Sequence, residues 1–277
     1  MIQVSSLSFS YRKNKELFKD LSIDLNPGNI YGLLGKNGAG KTTLLRLMSG
    51  MLFPKQGKCQ MNGKDTSLRD PSFLQDIYFL PEEFSLPAIT LKNYAEVNAV
   101  FYPKFSRKEF KKYINEFDLD VDQKLNTMSY GQKKKYLMAF GLATQAVFMI
   151  LDEPTNGLDI PSKSQYRKIM ASTISDERCF IISTHQVRDL ENLIDPVIIL
   201  DKGRIIFNQS SENITSKLIF GEIQQYNDID ILFKEGLEGK EKGVVVNHTN
   251  TSTSLDLELL FNAVVQQDEK IQKLFNA

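Results

Sequence analysis

The segment Gly35-Lys36-Asn37-Gly38-Ala39-Gly40-Lys41-Thr42 constrains this chain more than any other. It follows the apolar run Ile30, Tyr31, Leu33, Leu34 and precedes Thr43-Leu44-Leu45-Arg46-Leu47-Met48, so it predicts a buried strand, a glycine-rich loop and a helix in that order. Such a loop turns successive backbone N–H groups toward an anion, and the helix N-terminus adds the positive end of its dipole. Phosphate is the natural guest. The spacing is that of a P-loop, in which the lysine, here Lys41, reaches the terminal phosphates and the next hydroxyl, here Thr42, ligates magnesium.

With 277 residues, 42% of them hydrophobic, the chain can bury one large core and carry an appendage. Lys+Arg and Asp+Glu balance at 34 each, which argues against a dedicated nucleic-acid binder. No basic segment followed by a long apolar one opens the sequence, so no signal peptide is expected. Apolar runs such as Ala146 to Leu151 fall far short of the ~20 residues a membrane span needs. Cys59 and Cys179 lie in apolar strand contexts and read as reduced core thiols of a cytosolic protein. With His185 and His248 as the only histidines, a metal site has too few ligands of that kind, and His248 reads as an exposed loop residue.

Residues 2 to 9 alternate, and Leu21, Ile23 and Leu25 alternate again before Asn26-Pro27-Gly28, predicting two half-exposed antiparallel strands. The polar loop between them, Ser10-Tyr11-Arg12-Lys13-Asn14, carries one aromatic ring, which serves either as a packing anchor or as a stacking platform for a base. Lys58 to Gly63 reads as a strand entering a hairpin turn, and Ile77 to Leu80 as a buried strand ended by Pro81-Glu82-Glu83. From Pro87 to about Met128 the apolar spacing becomes helical, an insertion between two parts of an α/β core. Met128-Ser129-Tyr130-Gly131-Gln132 then opens another helix, for which Ser129 suffices as an N-cap.

Val147 to Leu151 predicts a buried parallel strand ending at Asp152-Glu153-Pro154. Adjacent carboxylates at a strand's C-terminal end are not needed for packing, and in open α/β sheets ligands bind at that edge. Phe180 to Thr184 is another such strand, with His185 after its end either as a structural residue or as part of the site. Phosphate loop, acidic pair and histidine together form the parts list for magnesium-assisted attack of water on a γ-phosphate. On that reading Asp152 holds magnesium beside Thr42, Glu153 is the general base for water, and His185 contacts the γ-phosphate.

At this point the chain resembles the ATP-binding subunits of ABC transporters, over about residues 2 to 208. Gly35 to Thr42 resemble the Walker A motif, with Thr43 following, Val147 to Asp152 the Walker B strand, and Glu153 the catalytic glutamate. Asn156 to Asp159 resemble the D-loop, His185 the switch histidine, and Tyr11 lies where the family has its adenine-stacking aromatic. Ser129-Tyr130-Gly131-Gln132 resembles the signature Leu-Ser-Gly-Gly-Gln, with Met128 for the leucine and Tyr130 for the first glycine. The resemblance implies ATP and Mg2+ as ligands, Asp159 among the ATP-binding residues, and a head-to-tail pair in which Ser129, Gly131 and Gln132 of one chain face the nucleotide held by the other. The bulk of Tyr130 is expected to bear on that packing. Where the family offers magnesium a glutamine after the Leu80-Pro81 strand end, this chain has Glu82. Leu-Pro-Glu resembles exporter-type subunits.

The expected fold is α/β, a P-loop NTPase core with a parallel sheet, an antiparallel β subdomain, an α-helical signature subdomain at about 84–140, and a small C-terminal extension. The ATPase domain is expected to span 1–210 and the extension 211–277, where Val244 to Val246 read as a strand and Leu255 to Val265 as an amphipathic helix. The implied partners are an integral membrane permease on a separate chain and a second copy or related ATPase subunit, with no nucleic acid. The chain would then sit peripherally on the cytoplasmic face of the membrane. Phe84, Leu86, Ile89 and Tyr94 would form part of the docking groove for that permease, or fill the insertion's own core. The rival reading is a soluble ABC ATPase acting on the ribosome or nucleic acid, disfavoured by one P-loop, one signature, balanced charge and no sustained heptads.

Overall fold

The computed structural model describes residues 1–12, 15–224, 226, 230–237, 241–249 and 251–276, so Lys13 and Asn14 of the expected polar loop lie outside the described residues. In chain order, β1 (Ile2–Phe9) and β2 (Phe18–Leu25) lead to β3 (Ile30–Leu34), the glycine-rich loop and α1 (Lys41–Met48). Next come β4 (Gln56–Met61), β5 (Lys64–Asp65), α2 (Pro71–Leu74) and β6 (Ile77–Leu80). The helices α3 (Leu91–Ala99), α4 (Arg107–Glu116) and α5 (Tyr130–Ala143) precede β7 (Phe148–Asp152), α6 (Ile160–Thr173) and β8 (Cys179–Thr184). Last come β9 (Val197–Asp201), β10 (Arg204–Gln209), α7 (Ser211–Lys217), β11 (Leu218–Glu222), β12 (Ile231–Glu235), β13 (Lys242–Val246), α8 (Leu257–Gln266) and α9 (Asp268–Asn276). The fold is α/β, with both parallel and antiparallel sheets. Its residues divide into two compact units, Met1–Ile30 with Thr42–Ser183, and Tyr31–Lys41 with Thr184–Ala277.

In the first unit β2, β1, β4 and β5 form an antiparallel sheet in that order. β2 shows why: Phe18, Leu21, Ile23 and Leu25 are buried while the residues between them are exposed, the period of a strand with one face on a core. Strands β6, β7 and β8 run parallel, with Leu80 level with Leu151 and Asp152 level with Ser183. Every residue of β7 and β8 is buried, as expected of uninterrupted apolar runs covered on both faces.

Helix α5 is buried from Tyr136 to Ala143 and carries the packing of the helical part. The Phe140 ring meets those of Tyr94, Tyr102, Phe105 and Phe110 at centroid distances of 5.7, 6.1, 5.3 and 6.5 Å. Such contacts, edge-on for all but the tilted Phe105 ring, add about 0.5–1.5 kcal/mol each beyond burial. Tyr94, an expected docking residue, is thus committed largely to this cluster. Tyr78 of β6 enters the same cluster 6.2 Å from Phe140 and donates from its hydroxyl to Leu137 O at 2.7 Å. Its ring has room because residue 141 is glycine: a Cβ there would lie 2.2 Å from Tyr78 Cε1.

In the second unit β3 runs parallel to β9, and β9 is antiparallel to β10. The chain end builds a separate antiparallel sheet in the order β11-β13-β12, followed by α8 and α9. The patterning of the sequence foresees β13 and α8. It does not foresee β11, β12 or α9.

Two predictions follow from this packing. Gly141→Ala forces the Tyr78 ring to move and should cost about 1–3 kcal/mol, read as a lower urea midpoint with an unchanged slope. Burial pushes the thiols of Cys59 and Cys179 up to about 12, which leaves roughly one in ten thousand as thiolate at pH 8. Native protein should therefore react with a thiol reagent orders of magnitude more slowly than urea-unfolded protein, which should titrate both.

Candidate functional site

Asp152 ends β7 inside the protein, 1% exposed, and its charge is met by two hydroxyls. Thr42 Oγ1 donates to Oδ2 at 2.8 Å, and Ser183 Oγ donates to Oδ1 at 2.5 Å. Parallel register explains the second contact, since Ser183 on β8 is the partner of Asp152. The first brings together residues 110 apart in sequence. Glu153 follows, 4% exposed, with φ +46, a left-handed value that non-glycine residues rarely adopt and that concentrates at functional sites. Its N–H donates to Ser183 O at 3.1 Å and to Ser183 Oγ at 3.2 Å.

A second cluster lies in the same unit, where the chain leaves β6 and β7. Because Leu80 and Leu151 are level, the residues that follow run out side by side, and Asn156 Nδ2 donates to Glu82 Oε1 at 3.0 Å. Tyr130, the first residue of α5, packs within its own chain: its ring stacks on Phe84 at 5.2 Å and 8°, and its hydroxyl donates to Glu82 O. A Cβ on Gly157 would reach within 2.7 Å of that ring. One turn along, Lys134 is 1% exposed and donates from Nζ to Glu153 O and, at 3.1 Å, to Asn156 O. Burial pushes this amine down to about 8, the carboxylates of Glu82, Glu153 and Asp152 opposing the shift. Among the described residues, Thr155 Oγ1 and Asn156 Oδ1 are buried polar atoms with no hydrogen-bond partner.

The other sequence-predicted residues fall as follows. Ser129 and Gln132 form a reciprocal cap on α5: Ser129 Oγ accepts from Gln132 N at 3.2 Å, and Gln132 Oε1 accepts from Ser129 N at 2.9 Å. Gly131 lies in the first turn of that helix. Asp159 caps α6 by accepting from Ser162 N at 2.8 Å, and the Ser162 hydroxyl and N–H hold its carboxyl below the usual range. Tyr11 is 62% exposed, edge-on to Phe9, and its hydroxyl shares a hydrogen bond of 3.0 Å with Thr43.

In the second unit the loop from Gly35 to Gly40 leaves β3, with Gly38 and Gly40 at φ +80 and +109, values that need glycine. Lys41 is buried, and its Nζ donates to Gly35 O at 2.8 Å and to Lys36 O at 3.5 Å, so the side chain folds along its own loop. His185 is exposed directly after β8. Sequence reasoning did not single out Ser183 or Lys134. Ser183 carries no local signal, but Lys134 stands four residues from both Tyr130 and buried Met138, on the buried side of the helix.

A profile of the ABC transporter family matches residues 18–156. The ABC transporter ATP-binding protein YtrB of Bacillus subtilis is 25% identical over 237 residues, covering 85% of this chain and 80% of that protein. The SkfA peptide export ATP-binding protein SkfE of the same organism is 31% identical over 214 residues, covering 74% and 87%. The solved structure of an ATP-binding subunit of an ABC transporter superposes with a TM-score of 0.70 at 23% identity, covering 77% of this chain and 91% of that one, which establishes the shared fold. The chain belongs to the ABC transporter family, as one of its ATP-binding, ATP-hydrolysing cassettes.

Proposed function

We propose that this cassette powers an exporter, working as a head-to-tail pair against membrane-spanning subunits on separate chains, at the cytoplasmic face of the membrane. The observation that carries the catalytic part is the Thr42–Asp152 contact, which ties the first turn after the phosphate loop to the strand end bearing Glu153. Hydroxyl and carboxylate oxygens are hard donors suited to Mg2+, which keeps waters and takes phosphate oxygens rather than filling an all-protein cage. Thr42 and Asp152 would hold the ion, with Glu82 reaching it through water. Magnesium, when bound, supplies charge neutralisation on the β- and γ-phosphate oxygens.

The chain's own residues divide the remaining work. The N–H groups from Gly35 to Gly40, with Thr43, cradle phosphate oxygens, and Lys41 neutralises the terminal ones. Tyr11 presents an exposed ring on which adenine stacks. Glu153 orients the attacking water and takes its proton at the carboxylate, and His185 contacts the γ-phosphate. Ser129, Gly131, Gln132 and Asp159 act on the nucleotide of the other subunit. Exposed Ser129 and Tyr130 at the start of α5 support a surface that another chain or its nucleotide completes.

Export is supported by the Leu80-Pro81-Glu82 strand end and by the peptide-export name of SkfE. No helix among the described residues is long and apolar enough to cross a membrane, which is consistent with spanning subunits on other chains. Half-buried Leu86 and Ile89 and the 62% exposed Val97 are the apolar side chains this reading gives to the permease contact.

Glu153→Gln should bind ATP with affinity near wild type, accumulate as an ATP-bound dimer and lose turnover by about a hundredfold or more. Purified from its native cells with ATP and mild detergent, that variant should bring down a polytopic membrane protein in stoichiometric amount. Ribosomal proteins in its place would overturn the transport reading. Glu82→Gln should keep ATP affinity within about threefold and change turnover, measured by phosphate release; a large loss of ATP binding counts against the role given to Glu82.

A further inference from the structure

We infer that Lys134 is a positioning residue for Glu153, fixing the catalytic carboxylate from the signature helix of the same chain. The inference rests on the reading of Glu153 as general base. A cation 1% exposed is costly to bury unless its surroundings compensate it, so a lysine at this position needs a reason beyond filling space. Its head group reaches two main-chain carbonyls, those of Glu153 and Asn156, and lies 5.2 Å from the centroid of the Tyr130 ring. All three belong to segments that act on nucleotide under the proposed mechanism.

Geometry makes the Glu153 carbonyl the important acceptor. Glu153 sits at φ +46, a conformation its backbone does not favour unaided. Its two peptide groups are held by two different elements. Ser183 of β8 takes the N–H at 3.1 Å, while Lys134 of α5 takes the C=O. With both flanking peptides pinned, the direction of Cα–Cβ is set, and so is the arc the carboxylate can sweep. A general base must lie within hydrogen-bond reach of its water, and misplacement by about 1 Å can cost on the order of a hundredfold in rate. Lys134 never touches the reacting atoms. Its influence passes through the backbone of Glu153.

The test separates positioning from mere packing. Lys134→Met keeps length and apolar stem but removes charge and donors. With folding checked by thermal midpoint, kcat for ATP should fall about tenfold or more, while the Kd of ATP, measured with the non-hydrolysed analogue AMP-PNP, stays within about threefold. If Lys134→Met fails to fold, Lys134→Leu, which likewise removes charge and donors, is read by the same two numbers. Turnover within about twofold of wild type in a folded variant overturns the inference, as does a parallel fall of kcat and affinity in proportion to folded protein. Wild-type protein that does not hydrolyse ATP overturns the mechanism and this inference together, whereas an active wild type with a fully active Lys134 variant overturns the inference alone.

Discussion

The buried carboxylate of Asp152 is the constraint on which the first unit depends. A charge so placed is tolerated only when its lone pairs are taken up, and here two hydroxyls do so from opposite directions in sequence, Thr42 and Ser183. Each contact dictates a piece of architecture. Ser183 reaches Asp152 only if β8 pairs with β7 in the observed register, because a slip by one residue would turn the hydroxyl to the other face. Thr42 reaches it only if α1 begins immediately after the glycine loop. The side chains to which the proposed function gives magnesium therefore also lock strand register and helix start, so substitutions at Asp152 would disturb folding as well as that proposed role.

How much of this was legible in the sequence follows from the range of the interaction concerned. Gly35 to Thr42 could be read because loop geometry, helix start and anion affinity are all local. The apolar run ending at Asp152-Glu153 was equally plain, since a strand covered on both faces has no polar residues to blur it. The Ser129–Gln132 cap was half visible: serine announced an N-cap, and the glutamine three residues on completes the box. Contacts that depend on tertiary placement were not legible. A serine in an apolar strand gives no sign that it bonds a carboxylate 31 residues away. Lys134 sits in the run Lys133 to Lys135, whose composition alone does not distinguish one lysine from the next. Only the helical period, which sets it four residues from buried Met138, points inward. In the tail, β11 and β12 escaped notice because neither keeps a clean alternation of buried and exposed residues.

The aromatic cluster gives the helical part its mechanical character. Tyr136 of α5 donates to Leu91 O of α3 at 2.8 Å, and Tyr78 ties β6 to α5 through Leu137 O and through the space left by Gly141. Aromatic rings in edge-on contact resist sliding, since their favourable geometry is lost within a small displacement. Strand β6, which ends just before Glu82, and helix α5, which begins at Tyr130, are thereby coupled at their far ends as well as through Tyr130 itself.

Under the proposed function, the two places where this chain departs from the motifs it resembles, Tyr130 and Glu82, are one feature rather than two. A tyrosine in place of a signature glycine would add bulk to a surface that another subunit has to approach. Its ring is instead absorbed by the chain itself, stacked on Phe84, lying over Gly157 and bonded to the Glu82 carbonyl. Glu82 adds a third carboxylate to those of Asp152 and Glu153 acting on Lys134. That charge is offset by Lys134, whose protonated form the three carboxylates favour against its burial. Tyr130 and Glu82 thus meet through the same loop, and the cation that offsets the acid lies within 5.2 Å of the tyrosine ring. Replacing one member alone leaves the others mismatched: without Tyr130 the Glu82 loop loses its stacked anchor, and without Glu82 the buried lysine loses one of three balancing charges. Substitutions at positions 82, 130 and 134 should therefore be strongly non-additive, as expected for residues in one contiguous network.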